Sequence, residues 1–187
     1  MTTLMDRANT ALLIVDVQRG NTGDAHDRDG VIARINSLLD QARRTDTPVV
    51  WVQHSDEHLV EGSEDWQYAD ELTRDETEPL VHKHFGDAFE ETDLENLLAE
   101  RKVGRVVVTG ASTDLCIRAT LHGAMARGYD ATLVGDAHTL EDPSKWGLPF
   151  NAEQVIAFTN SYWDEAAAPG RSGNTVLTGD VDFTAAG

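Results

Sequence analysis

The sequence predicts an α/β protein: one doubly wound, mostly parallel sheet of about six strands with helices on both faces, in three α/β/α layers. Three observations carry this. Short apolar, β-rich runs alternate with amphipathic segments along the chain. The strongest runs are continuous, as strands buried on both faces require. Breakers such as Pro48, Gly104, Gly128 and Pro169-Gly170 separate the segments. A chain of 187 residues fits one compact domain, taken as 1–187. A domain of that size buries roughly 70% of its unfolded surface, enough for a sheet covered on both sides.

The first strand is Ala11 to Val15, and it stops at Asp16. A polar, glycine-containing loop from Arg19 to Gly30 leads to a helix near Val31 to Arg44, whose Ile32, Ile35, Leu38 and Leu39 share one face. Pro48 opens a second strand, Val49 to Val52, which runs into His54-Ser55-Asp56. From there to Pro79 the chain is acidic and weakly periodic, a long excursion with a short helix expected around Trp66 to Leu72. Loops of this length are usually lids or binding loops. A short strand at Leu80-Val81 carries Lys83 at its end. Thr92 and Glu95 have the spacing of a capping box, with the helix running to about Lys102 and Gly104 as its stop. The strand Arg105 to Thr109 enters Gly110-Ala111-Ser112-Thr113-Asp114-Leu115-Cys116, from which a helix continues to Arg127 and ends at Gly128. A strand at Ala131 to Val134, a helix from about Ala152 to Glu165 and a strand near Thr175 to Leu177 complete the pattern.

Composition excludes several functions. Acidic residues number 33 against 15 basic ones, a formal charge of −18 that repels phosphate backbones, so no nucleic-acid partner is expected. A well-solvated surface accounts for the acids, with a cationic substrate as the alternative. No apolar run reaches the ~20 residues of a membrane span. The polar start from Met1 to Thr10 lacks a secretory signal's apolar core, so a cytoplasmic protein without membrane partners is expected. The lone Cys116 excludes an intramolecular disulfide and a thiol-only metal site. Neither a Gly-x-Gly-x-x-Gly nor a Walker-type loop follows any strand, which argues against nucleotide binding.

Ligands of open α/β sheets bind outside the carboxyl ends of the strands. Asp16, Lys83 and Cys116 fall at three such ends. In the first turn of a helix, the thiol meets unpaired N–H groups and the positive dipole end, which favour a thiolate; a nearby Lys83 ammonium adds to this. Asp16 can take the thiol proton and return it to a leaving amine. Small residues Ala119, Thr120, Gly123 and Ala124 suit close packing of that helix on the sheet.

The motifs are more specific than the positions. Val106-Val107-Val108-Thr109-Gly110-Ala111-Ser112-Thr113-Asp114-Leu115-Cys116-Ile117 resembles the nucleophile motif of the isochorismatase-like cysteine hydrolases. Ala11-Leu12-Leu13-Ile14-Val15-Asp16-Val17-Gln18 resembles that family's first strand with its catalytic acid. Val81-His82-Lys83-His84-Phe85-Gly86-Asp87-Ala88-Phe89, followed by Thr92-Asp93-Leu94, resembles the segment bearing its catalytic lysine. The three occur in family order, with similarity from about Thr10 to His138. The resemblance implies catalytic Asp16, Lys83 and Cys116, a cis Ala111–Ser112 peptide, and an oxyanion hole formed by the Ser112 and Cys116 N–H groups. It also groups the chain with nicotinamidases, N-carbamoylsarcosine amidases and ureidoacrylate amidohydrolases, and implies a homodimer or homotetramer.

The chain departs from the nicotinamidase pattern after the second strand. Those enzymes bind a metal through Asp-x-His, whereas Val52-Gln53-His54-Ser55-Asp56-Glu57-His58 has no acid two places before His54. No metal or other cofactor is therefore expected; a rearranged site of His54, Asp56 and His58 is the alternative. His82, His84 and His122 are expected to be structural. Members that cleave isochorismate often lack the cysteine, so Cys116 points to hydrolysis of a C–N bond in a small amide, ureide or cyclic amide through a thioester. Gln18, His54 and Trp146 are the expected substrate contacts, with Trp66, Tyr68 and Phe150 in loops that could wall the pocket. The alternatives are a catalytically silent small-molecule-binding or thiol-sensing module, or a metal-dependent nicotinamidase-like amidase.

Overall fold

The computed structural model describes residues 2–184. Its seven strands are β1 (Asn9–Val15), β2 (Val49–His54), β3 (Leu80–Lys83), β4 (Val103–Ala111), β5 (Asp130–Thr139), β6 (Ala167–Ala168) and β7 (Arg171–Val176). The helices are α1 (Arg19–Thr22), α2 (Arg28–Arg44), α3 (Leu94–Glu100), α4 (Arg118–Arg127) and α5 (Ala152–Asp164). The sheet order is β3-β2-β1-β4-β5-β7-β6, and every pairing is parallel except β6 with β7. The expected doubly wound sheet is present, with β6 as a two-residue antiparallel addition.

The continuous apolar runs are explained by layering. Ala11, Leu13 and Val15 of β1 face one core with Val81, Val106, Leu98, Leu121 and Trp163; Leu12 and Ile14 face a second core with Ile35, Leu38 and Trp51. Central strands thus bury both sets of side chains, and at ~25 cal/mol per Å² this apolar burial is the main stabilising term. After β3 the chain returns to the far side of β1 as β4, so the winding reverses between β1 and β4. In open sheets of this kind ligands bind outside the carboxyl ends of the strands, at such a reversal.

Three local expectations fail. Trp66 to Leu72 is not helical but forms a strap across the end of β1. Its backbone pairs outward: Arg19 N–H donates to Gln67 O (2.8 Å), Gly20 N–H to Asp65 O (2.9 Å) and Ala69 N–H to Val17 O (3.0 Å), with a Gln18–Tyr68 bridge between them. Bonds spent this way are unavailable to a helix. The Thr92–Glu95 capping box does not form. Asp93 is the residue before α3, Thr92 Oγ1 donates to Ala88 O (2.6 Å), and Glu95 is taken by Arg7 (2.8 Å) and the Tyr129 hydroxyl (2.7 Å). Gly104 lies within β4 rather than ending α3: a Cβ there would come within 2.0 Å of the Arg7 carbonyl oxygen. Gly128 does end its helix, with φ 104° at the C-cap of α4.

Candidate active site

Asp16 follows β1 directly, in a left-handed conformation with φ 50°, and its N–H donates to Val52 O (3.0 Å). Lys83 ends β3, beside His54 in register. Cys116 lies in the turn after β4, beyond a cis Ala111–Ser112 peptide. At Gly110 β4 passes so close to β1 that a Cβ would meet Val15 O at 2.0 Å, which brings the two strand ends together.

The three side chains converge on the lysine. Lys83 Nζ lies 2.7 Å from Asp16 Oδ2 and 3.1 Å from Cys116 Sγ. It also donates to Phe85 O (3.0 Å) and approaches His54 Nδ1 (3.3 Å). The Lys83 and Asp16 side chains are both 0% exposed. Neither Asp16 oxygen has a well-directed hydrogen bond among the described residues, so the carboxylate is held by charge more than by aligned donors.

Burial sets the proton affinities. Removal from water raises the Asp16 pKa above the usual carboxylate range, and Lys83 resists this only in part. For Lys83, burial alone would lower the pKa, but Asp16 and then Cys116 outweigh it and hold the ammonium charged. The Cys116 thiol is pushed up to about 12, first by burial and then by Asp16, against the pull of Lys83. This corrects the expectation of a thiolate favoured by the helix terminus. A thiol raised this far keeps its proton at neutral pH.

The other expected contacts are placed unequally. The His54 ring sits against Lys83, and its Nε2 lies 3.2 Å from Asp56 Oδ2; with Lys83 donating to Nδ1, the network places the ring proton on Nε2. Gln18 is fully buried and its amide is spent on backbone: Nε2 donates to His54 O (2.9 Å) and Trp66 O (2.8 Å), and Oε1 accepts from His54 N–H (2.9 Å). It ties β1, β2 and the strap together, with both amide hydrogens spent and the side chain out of solvent contact. Trp146 stands 64% exposed on a 3₁₀ turn, Pro143–Trp146, and Phe150 is exposed nearby in sequence. Trp66 stacks on His82 (5.6 Å) and Tyr68 packs edge-on against Trp51 (5.0 Å), so both rings brace the strap. His84 Nδ1 lies 3.0 Å from Ser55 O, and His122 stacks on Tyr162 (5.9 Å). The His58 side chain is exposed beside Glu57, and among the described residues no three His, Cys, Asp or Glu side chains converge to hold a metal.

Sequence reasoning missed one buried polar chain. Thr113 Oγ1 lies 2.9 Å from His138 Nδ1, and His138 Nε2 lies 2.8 Å from Asn160 Oδ1. The β4–β5 register jumps between Val108 and Gly110, which sets His138 beside Gly110. Its one sequence signal is a polar residue ending the long run of β5. A further difference is that Cys116 lies in a π turn, Thr113–Ile117, rather than the first turn of an α-helix.

Comparison with known proteins places the sequence and the fold. A family model described as the isochorismatase domain matches residues 10–148. An uncharacterized isochorismatase family protein, YddQ of Bacillus subtilis, is 32% identical over 142 residues, 68% of this chain and 76% of that protein. Streptothricin hydrolase of Streptomyces noursei is 31% identical over 163 residues, and the alignment spans 82% of this chain but 64% of the relative's length. Ureidoacrylate amidohydrolase RutB of Methylobacterium radiotolerans is 27% identical over 175 residues, 71% of this chain and 68% of the relative. Among solved structures, an isochorismatase family protein superposes with a TM-score of 0.79 at 25% identity, covering 91% of this chain and 99% of the other. N-carbamoylsarcosine amidase of Thermoplasma acidophilum shares the fold, with a TM-score of 0.74 at 21% identity over 93% of this chain and 99% of the other. No helix among the described residues is long and apolar enough to cross a membrane. The family match runs from the start of β1 through the turn carrying Cys116 and past the end of β5, and the chain belongs to the isochorismatase family.

Proposed function

We propose that the protein is a cysteine amidohydrolase that cleaves a C–N bond of a small amide, ureide or cyclic amide through a thioester on Cys116. One observation carries the reading: a single buried ammonium, Lys83 Nζ, touches both the Asp16 carboxylate at 2.7 Å and the Cys116 sulfur at 3.1 Å. An acid, a cation and a thiol in that arrangement form an activated nucleophile with its own base.

The reaction begins with a neutral thiol. As Cys116 Sγ attacks the carbonyl carbon, Asp16 takes the thiol proton; burial makes it a stronger base than a solvated carboxylate. Lys83 stays charged and stabilises the negative charge passing from sulfur to carboxylate. The Ser112 and Cys116 N–H groups receive the carbonyl oxygen as it gains charge. Asp16 returns its proton to the departing nitrogen, leaving an acyl-Cys116. Water then attacks the thioester, Asp16 accepts its proton, and the acid leaves as the thiol reforms.

The names of streptothricin hydrolase and ureidoacrylate amidohydrolase support C–N hydrolysis as the reaction class. His54, ringed by Lys83 and Asp56, is the polar side chain best placed beside the nucleophile to contact substrate. No step requires a metal. The test is ammonia or amine release by purified protein from a panel of small amides, ureido acids and cyclic amides. Turnover of at least one, lost in Cys116→Ala, supports the reading; turnover that survives in Cys116→Ala overturns it.

A further inference from the structure

In an α-helix each N–H bonds the carbonyl four residues back, which for Cys116 is that of Ser112. Here the Ser112 carbonyl accepts from Leu115 N–H (3.2 Å) and Ile117 N–H (3.1 Å). Its α-helical partner, the Cys116 N–H, is passed over. Single π turns of this kind recur at functional sites. The turn must be held from outside, because one register step would restore the α bond.

The Thr113–His138–Asn160 chain is built to do this. Burial lowers the His138 pKa to about 4, so at neutral pH the ring is neutral and carries one N–H. Asn160 Nδ2 donates to Gly135 O (2.8 Å), which fixes the amide with Oδ1 toward His138 (2.8 Å). His138 Nε2–H therefore donates to Asn160, and Nδ1 accepts from the Thr113 hydroxyl (2.9 Å). Donors and acceptors match at each link, which makes such a network specific in geometry. It runs from α5 through β5 to the first residue of the turn.

We propose that Thr113, His138 and Asn160 are positioning residues that lock the Thr113–Ile117 turn in its π register and so leave the Cys116 N–H for the substrate's carbonyl oxygen. This rests on Cys116 being the acyl-accepting nucleophile. Loss of the Thr113 hydroxyl frees the turn to relax to the α register, in which Ser112 O consumes that N–H.

Two reactions at the same sulfur separate geometry from reactivity. With iodoacetamide, Cys116 forms an S–CH₂ bond and iodide leaves; no oxyanion develops. With 4-nitrophenyl acetate, Cys116 Sγ bonds the acetyl carbon, the thiol proton passes to Asp16, and 4-nitrophenolate departs with the electron pair of its C–O bond. Cys116 is the only cysteine, so an adduct seen by intact mass in wild type and missing in Cys116→Ala is on its sulfur. In Thr113→Val, acylation should slow by about 100-fold, the usual effect of losing one oxyanion donor, while alkylation is unchanged. Thr113→Ser should restore acylation. Asn160→Ala, altered at the far end of the chain, should show the same split and serves if Thr113→Val does not fold. Parallel loss of both reactions, loss of neither, or no recovery in Thr113→Ser would overturn the proposal. A wild-type protein that is alkylated but never acylated would instead overturn the nucleophile reading beneath it.

Discussion

The ends of β1 and β4 lie side by side, and they hold their functional groups by opposite means. At β1 the structure buries a charge: among the described residues Asp16 has no well-directed hydrogen bond, and its main counterweight is Lys83 at 2.7 Å. At β4 it buries a neutral network in which Thr113, His138 and Asn160 satisfy one another at 2.9 and 2.8 Å. The first arrangement stores reactivity, because a desolvated carboxylate seeks a proton. The second stores geometry. A chemical step needs both, and substitutions on the two sides should fail differently.

The largest effect is expected at the charged end. Asp16→Asn leaves the Lys83 ammonium buried without its counter-ion, which typically costs about 3–5 kcal/mol. Asp16→Asn with Lys83→Met removes both charges and should recover most of that loss, as urea melts of the three proteins would measure. A single variant as stable as wild type would mean the pair is far less desolvated than its 0% exposure implies. At the neutral end, Thr113→Val orphans His138 Nδ1, and about 1–3 kcal/mol is expected for an unsatisfied buried acceptor. The comparison predicts that order, and the reverse would break it.

Acidity provides the next contrast. In the proposed mechanism Asp16 serves as base only when ionised, and burial raises its pKa. As pH falls through that raised value the base is protonated, so the acid limb of kcat/KM should lie above the ordinary carboxylate range. A limb at or below that range would assign the base elsewhere. Lys83 and Asp16 should then move the thiol in opposite directions. Lys83→Met removes the cation at 3.1 Å, and the Cys116 pKa, already raised by burial, should rise further. Asp16→Asn should lower it. Iodoacetamide rates at one fixed pH below these values would show a slowing of about 10- to 100-fold in the first variant and an acceleration in the second. Equal rates would remove both groups from the thiol's surroundings. The smallest effect expected is none: exhaustive chelation should leave turnover unchanged, and loss restored by one divalent ion would revive the metal-dependent alternative.

Legibility in the sequence followed the same division. Asp16 and Lys83 each close an apolar run, and Cys116 follows one, so the charged half could be read from strand ends alone. The neutral half could not. The π turn is fixed by a bond between Thr113 and His138, 25 residues apart, and by the β4–β5 register jump that brings them together. The strap near Trp66 takes its extended form from pairing with residues 17–20, which local periodicity does not record. Gln18 was legible as polar and close to the site, but its commitment to the backbone of His54 and Trp66 depends on a contact 48 residues away. His54 meets Lys83 because both end neighbouring strands in register, a pairing that only the sheet order reveals. The upward shift of the thiol pKa, set first by burial and then by Asp16, is not legible locally. A helix terminus is visible in sequence, whereas depth of burial is not.

The central claim is that Cys116 carries the acyl group, and intact-mass spectrometry during turnover tests it most directly. With any amide or ureide that the protein hydrolyses, quenched wild-type samples should show one added acyl mass on the only cysteine, rising to a steady level and decaying as substrate is spent. Cys116→Ala should fold, show no adduct and release no amine or ammonia. Amine release by Cys116→Ala at the wild-type rate, with no adduct in either protein, would contradict the account.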